Sequence, residues 1–233
     1  MSPEVEAAPE RRGEPSSPFI EPHATPEEVA ALPARLRLRY AAWLRVRGHA
    51  DAAARVLDVI EQLSGETATL LDERAALALF RGDAAAVRAF FARRLANRPS
   101  PSAHVALARA LVELGDINEA NAIVSELTAE HGEMATVQAL AAELAMLQGD
   151  LGAAHDYASA QLAEDDSRIS PCLALARIAL FSGDLEDARA ALDRALSDPD
   201  TLTAAQIASA AGLAELLAQP ARAQSMRMRF ARL

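Results

Sequence analysis

ARALVELGDINEANAIVSELTAEHGEMATVQALAAELAMLQGDLGAA, residues 108–154, decides the fold. A Gly-Asp pair occurs in it twice, as Gly115-Asp116 and Gly149-Asp150, 34 residues apart. Alanine stands seven places before each glycine (Ala108, Ala142) and five places after it (Ala120, Ala154). The spacing continues in both directions: Gly48, Gly82, Gly115, Gly149 and Gly183 are separated by 34, 33, 34 and 34 residues. Asp83 and Asp184 follow their glycines directly, while after Gly48 the aspartate is delayed to Asp51. A period of this length marks stacked helical hairpins, because one such hairpin cannot bury its apolar face alone.

Each unit reads as a helix A, a turn and a helix B. Glycine takes the left-handed conformation that ends helix A, and aspartate accepts the orphan amide hydrogens that open helix B. The signals predict pairs at 34–47 with 51–63, 67–81 with 84–97, 101–114 with 117–130, 134–148 with 151–163, 171–182 with 185–196, and 203–217 with 220–233. Small residues recur at the same two offsets in the other units: Ala41, Ala75 and Ala176 before the glycine, Ala53, Val87 and Ala188 after it. Side chains of this size let helices approach to the short end of the roughly 8–10 Å interaxial range. In the sixth unit Ala218 replaces the glycine, with Ala211 and Ala223 at the flanking offsets. About a quarter of the chain is alanine, and β-branched and aromatic residues are scarce, which excludes a strand-rich fold.

Residues 1–24 carry five prolines among Glu, Ser and Ala, a composition expected to stay disordered, with Phe19–Ile20 as its one apolar pair. Order begins at Thr25-Pro26-Glu27-Glu28, a capping box with proline at the first helical position. Pro33 restarts the chain, and Ser100-Pro101 and Ser170-Pro171 open two further A helices.

The net charge is −10, and all 23 basic residues are arginine. Such a composition, rich in alanine and arginine, points to a bacterial source. Arginines concentrate at residues 33–48 (Arg35, Arg37, Arg39, Arg45, Arg47) and 222–233 (Arg222, Arg227, Arg229, Arg232), which leaves the middle of the chain strongly acidic. An acidic body argues against a general nucleic-acid binder and leaves only local contacts by the basic ends. The one cysteine, Cys172, excludes an internal disulfide, and neither a leader pattern nor an 18-residue apolar run is present. A cytoplasmic protein with no membrane contact is expected.

The period, the glycine turn and the two small-residue offsets resemble the tetratricopeptide repeat family over residues 34–233. The resemblance implies an all-α, right-handed superhelical array of about six helix pairs, spanning 25–233, with repeats near 34–67, 68–100, 101–134, 135–168, 169–202 and 203–233. The family's aromatic positions in helix A read Arg37, Leu71, His104, Gln138 and Cys172, then Leu44, Ala78, Leu111, Ala145 and Ala179, so that part of the signature is diluted.

No catalytic, metal or cofactor constellation stands out. The five histidines (His23, His49, His104, His131, His155) are dispersed, a chain without lysine holds no phosphate-loop pattern, and Cys172 reads as a small buried hydrophobe. Asp165-Asp166 reads as a solvated inter-repeat turn. The resemblance implies a non-enzymatic scaffold that binds a peptide or protein segment on its A helices; the alternatives are a recruiting region of a larger enzyme and weak nucleic-acid contact through the basic ends. Counting thirteen, ten, nine, six, three and two places back from each glycine gives the inward-facing set. Its polar members include Arg35, Arg39, Arg45, Asp72, Glu73, Arg109, Glu113, Glu143 and Arg177, and its apolar ones Phe80, Val105, Leu140, Leu147, Leu173 and Phe181. Family members that clamp a carboxylate do so with lysine and asparagine on A helices; this chain has no lysine, and Asn97, Asn118 and Asn121 lie elsewhere. In the last helix Met226, Met228 and Phe230 are candidates for self-association into a homo-oligomer.

Overall fold

The computed structural model describes residues 24–164, 169–198 and 201–231. The N-terminal tail up to residue 23 with its Phe19–Ile20 pair, Asp165-Asp166 and Leu233 lie outside that range. All regular structure among the described residues is helical. A short α1 (Pro26–Ala31) comes first. The A helices are α2 (Ala34–Val46), α4 (Ala68–Phe80), α6 (Pro101–Glu113), α8 (Ala135–Gln148), α10 (Ile169–Ser182) and α12 (Ala204–Leu216). The B helices are α3 (Ala50–Ser64), α5 (Ala84–Asn97), α7 (Ile117–His131), α9 (Leu151–Glu164), α11 (Leu185–Ala195) and α13 (Pro220–Phe230). The expected bounds hold to within three residues; α10 starts at Ile169, ahead of Pro171, which occupies the first turn, where no amide bond is lost.

The turn after helix A repeats its geometry. Gly48, Gly82, Gly115, Gly149 and Gly183 have φ of 83°, 69°, 83°, 78° and 82°. At Gly115 the glycine N–H donates to the Val112 carbonyl at 3.0 Å and the Asp116 N–H to the Leu111 carbonyl at 2.8 Å. That pair of bonds satisfies carbonyls the helix end leaves free. It recurs after Gly48, Gly149 and Gly183. No atom lies within 4 Å of where a Cβ would stand on these glycines, so the turn needs glycine for its backbone angle and not for space. Ala218 makes the same two bonds at φ 56°, the one non-glycine residue at positive φ among the described residues.

Capping follows expectation at three turns and departs from it at two. Asp83, Asp150 and Asp184 accept from the N–H groups of Ala86, Ala153 and Asp187 at 3.0, 3.0 and 3.1 Å. Asp116 caps nothing with its side chain, because Arg88 Nη2 engages its carboxylate at 2.7 Å. Asp51 lies within the first turn of α3 and accepts from Arg81 Nη2 at 2.7 Å, while His49 holds the cap position without a side-chain bond. At the other helix starts Thr25 forms the expected capping box with Glu28, and Thr203 forms one with Gln206.

The chain divides into two compact units, the first ending at Arg81 and the second beginning at Gly82. In the first, α2, α3 and α4 pack on one another around Leu44, Val56, Leu57, Ile60 and Leu70, and α1 adds Val29 against α3. Arg37 donates to the Leu32 and Ala30 carbonyls at 3.0 and 2.7 Å, closing the end of α1. Arg74 of α4 holds Asp58 and Glu61 of α3. Among the described residues of the second unit, each helix packs mainly on helices one or two places along the chain. All six alanines before the turn and all six small residues after it are buried, so within each unit A and B meet across side chains that keep the axes close.

Cys172 is 2% exposed, and burial pushes its thiol pKa up. A raised pKa leaves less thiolate at neutral pH, so a disulfide-exchange reagent at pH 7.5 should modify Cys172 only after unfolding; stoichiometric labelling of the native protein would contradict this placement. Replacing Gly115 by alanine should cost roughly 1–2 kcal/mol in chemical denaturation, through backbone strain alone. Ala218→Gly should act with the opposite sign and stabilise by roughly 0.5 kcal/mol, the strain relief being partly offset by glycine's unfolded-state entropy.

Candidate functional site

Helix A buries the stripe that carries the alanine seven places before the turn, with neighbours such as Leu44, Leu111 and Leu144. The opposite stripe, thirteen, six and two places before the turn, follows the i, i+7, i+11 spacing of one helix face. Its last position is apolar in five of six units, and every one of those residues is open to solvent: Val46 72%, Phe80 50%, Leu147 57%, Phe181 69% and Leu216 70%. The third unit has Glu113 there, also exposed. In the second unit α8 touches α10 and α10 touches α12, so Leu147, Phe181 and Leu216 stand at one level on three adjacent helices. Apolar residues aligned in this way constitute a patch, unlike scattered exposed leucines.

The expected inward-facing set is narrower than the sequence implied. Val105, Leu140 and Leu173, counted nine or ten places before the turn, are buried at 7%, 0% and 5%. Position nine lies within about 60° and position ten within about 80° of all three stripe positions, so the helical angle alone does not bury them; the helices flanking helix A on both sides do. Phe80, Leu147 and Phe181 are open to solvent, and Val46 and Leu216, outside the expected set, hold the same position in their repeats. The turn spacing alone finds them, since both lie two places before position 48 or 218.

Among the charged residues Arg35 and Arg39 are exposed on α2, and Asp72 is exposed on α4. Glu73 is engaged within the chain, accepting from Arg45 Nε at 2.8 Å between α4 and α2. Six places before the turn the second unit presents Arg109 on α6, Glu143 on α8 and Arg177 on α10, a positive, negative, positive order. Arg109 and Arg177 are exposed, Glu143 is half-buried, and none of the three belongs to an ion pair among the described residues. Ala106, Ala174 and Gly212 lie beside them on the same faces and leave the charges accessible.

The basic ends are largely spent on the protein itself. Arg45 and Arg37 are bonded as described, and Arg47 lies over the Trp43 ring at 5.6 Å. Arg222 holds Asp193 at 2.5 Å, and Arg227 pairs with Glu215. Of the three residues expected to mediate self-association, Met226 is 8% exposed and packs with Leu202, Ile207 and Ala211 inside the chain. Ala223 and Met226, three apart, share the face that meets α12; Met228 falls on the other side at 52% exposed, and Phe230, four places beyond Met226, keeps the same face but is 50% exposed at the end of the helix. Among the described residues no group of His, Cys, Asp and Glu is arranged to hold a metal ion, and no helix is long and apolar enough to cross a membrane.

No protein-family model and no curated protein sequence matches this chain. Solved structures do. A tetratricopeptide repeat protein from Parabacteroides merdae superposes with a TM-score of 0.65 at 14% identity, over 88% of this chain and 84% of that one. PilW, a widely conserved type IV pilus biogenesis factor, gives 0.58 at 16% identity, over 84% and 91%. A thermophilic TPR protein of Thermus thermophilus gives 0.56 at 19% identity, over 85% and 97%. At these identities the likeness is one of fold, and it agrees with the turn geometry and the buried alanines seen here. The chain therefore has the fold of the tetratricopeptide repeat proteins, an all-α array of helix–turn–helix units.

Proposed function

We propose that the protein is a non-enzymatic interaction scaffold whose A-helix face binds a peptide or protein segment. The observation that supports this reading is the exposed apolar position two places before the turn, occupied by Val46 and Phe80 in the first unit and by Leu147, Phe181 and Leu216 in the second. A helical protein keeps such residues in water at a cost, since burying each would release roughly 1.5–3 kcal/mol of hydrophobic free energy. Beside the row in the second unit, Arg109, Glu143 and Arg177 offer alternating charges without intrachain ion pairs. A ligand that fits carries apolar anchors flanked by charges in the complementary order, acidic, basic, acidic. Apolar contacts then supply affinity and the charges fix register.

Two variants test the reading by affinity capture from the native cell. Leu147→Glu/Phe181→Glu changes only exposed positions, so its melting temperature should match the wild type within a few degrees, while recovery of the bound partner should fall by roughly tenfold or more. Arg109→Glu/Glu143→Arg/Arg177→Glu should lose the same partner by inverting the register. If both variants recover the wild-type set of proteins undiminished, the A-helix face is not the binding surface.

A further inference from the structure

In the second unit a groove of about 560 Å³ opens between α9, α10 and α11. Leu151, Leu175, Ile178 and Ala191 give it apolar walls, and the exposed residues His155, Asp184 and Asp187 give it a polar edge. The repeat supplies its own control for what belongs there. Arg88 lies six places after Gly82, and Asp116 and Glu119 lie one and four places after the next turn glycine. Arg88 Nη2 donates to both carboxylates at 2.7 Å, and its Nε donates to Glu119 at 3.1 Å. These bonds, from Glu119 first and Asp116 second, hold the guanidinium proton more tightly than usual.

Two units later the same three positions read His155, Asp184 and Asp187. The two acids are kept and the guanidinium is missing. Asp184, with no arginine to draw it aside, caps α11 through the Asp187 N–H, as Asp116 does not cap α7. The nearest partners of His155 Nδ1 are on its own helix, Ser159 Oγ at 3.5 Å and Asp156 Oδ1 at 3.9 Å. The remaining charged residue of the groove, Arg194, lies on α11 seven places beyond Asp187.

We infer that this groove receives an arginine side chain presented by a partner protein. The aliphatic stem lies against Leu151, Leu175 and Ile178, and the guanidinium sits between Asp184 and Asp187 as that of Arg88 sits between Asp116 and Glu119. Arginine suits the site better than lysine, since its planar fork engages two carboxylates at once and its three methylenes match apolar walls. An anionic or neutral ligand would leave both acids unanswered. The site shares no residue with the exposed row on the A helices, so the two proposals stand or fall separately.

The test is a titration of the isotope-labelled full chain with N-acetyl-arginine amide, followed by amide chemical shifts, with the uncharged citrulline analogue as control. Saturable shifts centred on residues 155 and 184–187 are expected for the arginine compound only. Asp187→Asn, which leaves the Asp184 cap in place, should weaken binding roughly tenfold. His155→Arg supplies the guanidinium from within and should abolish binding while keeping the wild-type circular dichroism spectrum. No shifts up to about 50 mM, equal response to citrulline, or undiminished binding by His155→Arg would overturn the proposal.

Discussion

Everything in this architecture depends on a backbone that can turn left-handed once per repeat. An A helix must stop abruptly and hand over to a B helix across two or three residues, and the two bonds that close its end require positive φ. Because the space around the missing Cβ is empty, selection at these positions acts on one dihedral angle and little else. With that angle fixed, the alanines seven places before and five after the turn come into register and let the helices approach. Packing then propagates by contact with the next helix, and the exposed face of each A helix follows from what is left over.

The fold was legible because it rests on residue types with few alternatives. Glycine at a fixed period announces the turn, and alanine at a fixed offset announces the contact. Ala218 shows the limit of that logic, since the turn persists where the signal residue is gone; neighbouring packing around Ala211, Ala214 and Ala223 outweighs the strain of one alanine. Asp116 shows a different limit. Its position predicts a cap, but an arginine from the preceding B helix competes for the same carboxylate, and sequence spacing does not rank two partners.

The binding face was less legible than the fold. Offsets from the glycine place residues around a helix correctly, yet whether a position is open depends on the helices on either side. Val105 and Leu140 went inward for that reason, whereas Val46 and Leu216 stayed in water. Charges mislead in a similar way. The arginine-rich ends look like a basic patch on paper, but Arg37, Arg45, Arg47, Arg222 and Arg227 are tied to carbonyls, carboxylates and an indole ring of the same chain. Among the described residues, Arg109, Glu143 and Arg177 on the A helices of the second unit stand outside these pairs.

Among the described residues, helices in the second unit meet chiefly those one or two places away. Mechanical and mutational disturbance therefore travels a short distance before it dies out. A substitution on α12 is felt by α10, α11 and α13 but reaches α6 only through a relay of intervening helices. Surfaces built on such a frame can diverge one unit at a time, so recognition of one ligand can be retuned at α10 without redrawing what α6 presents.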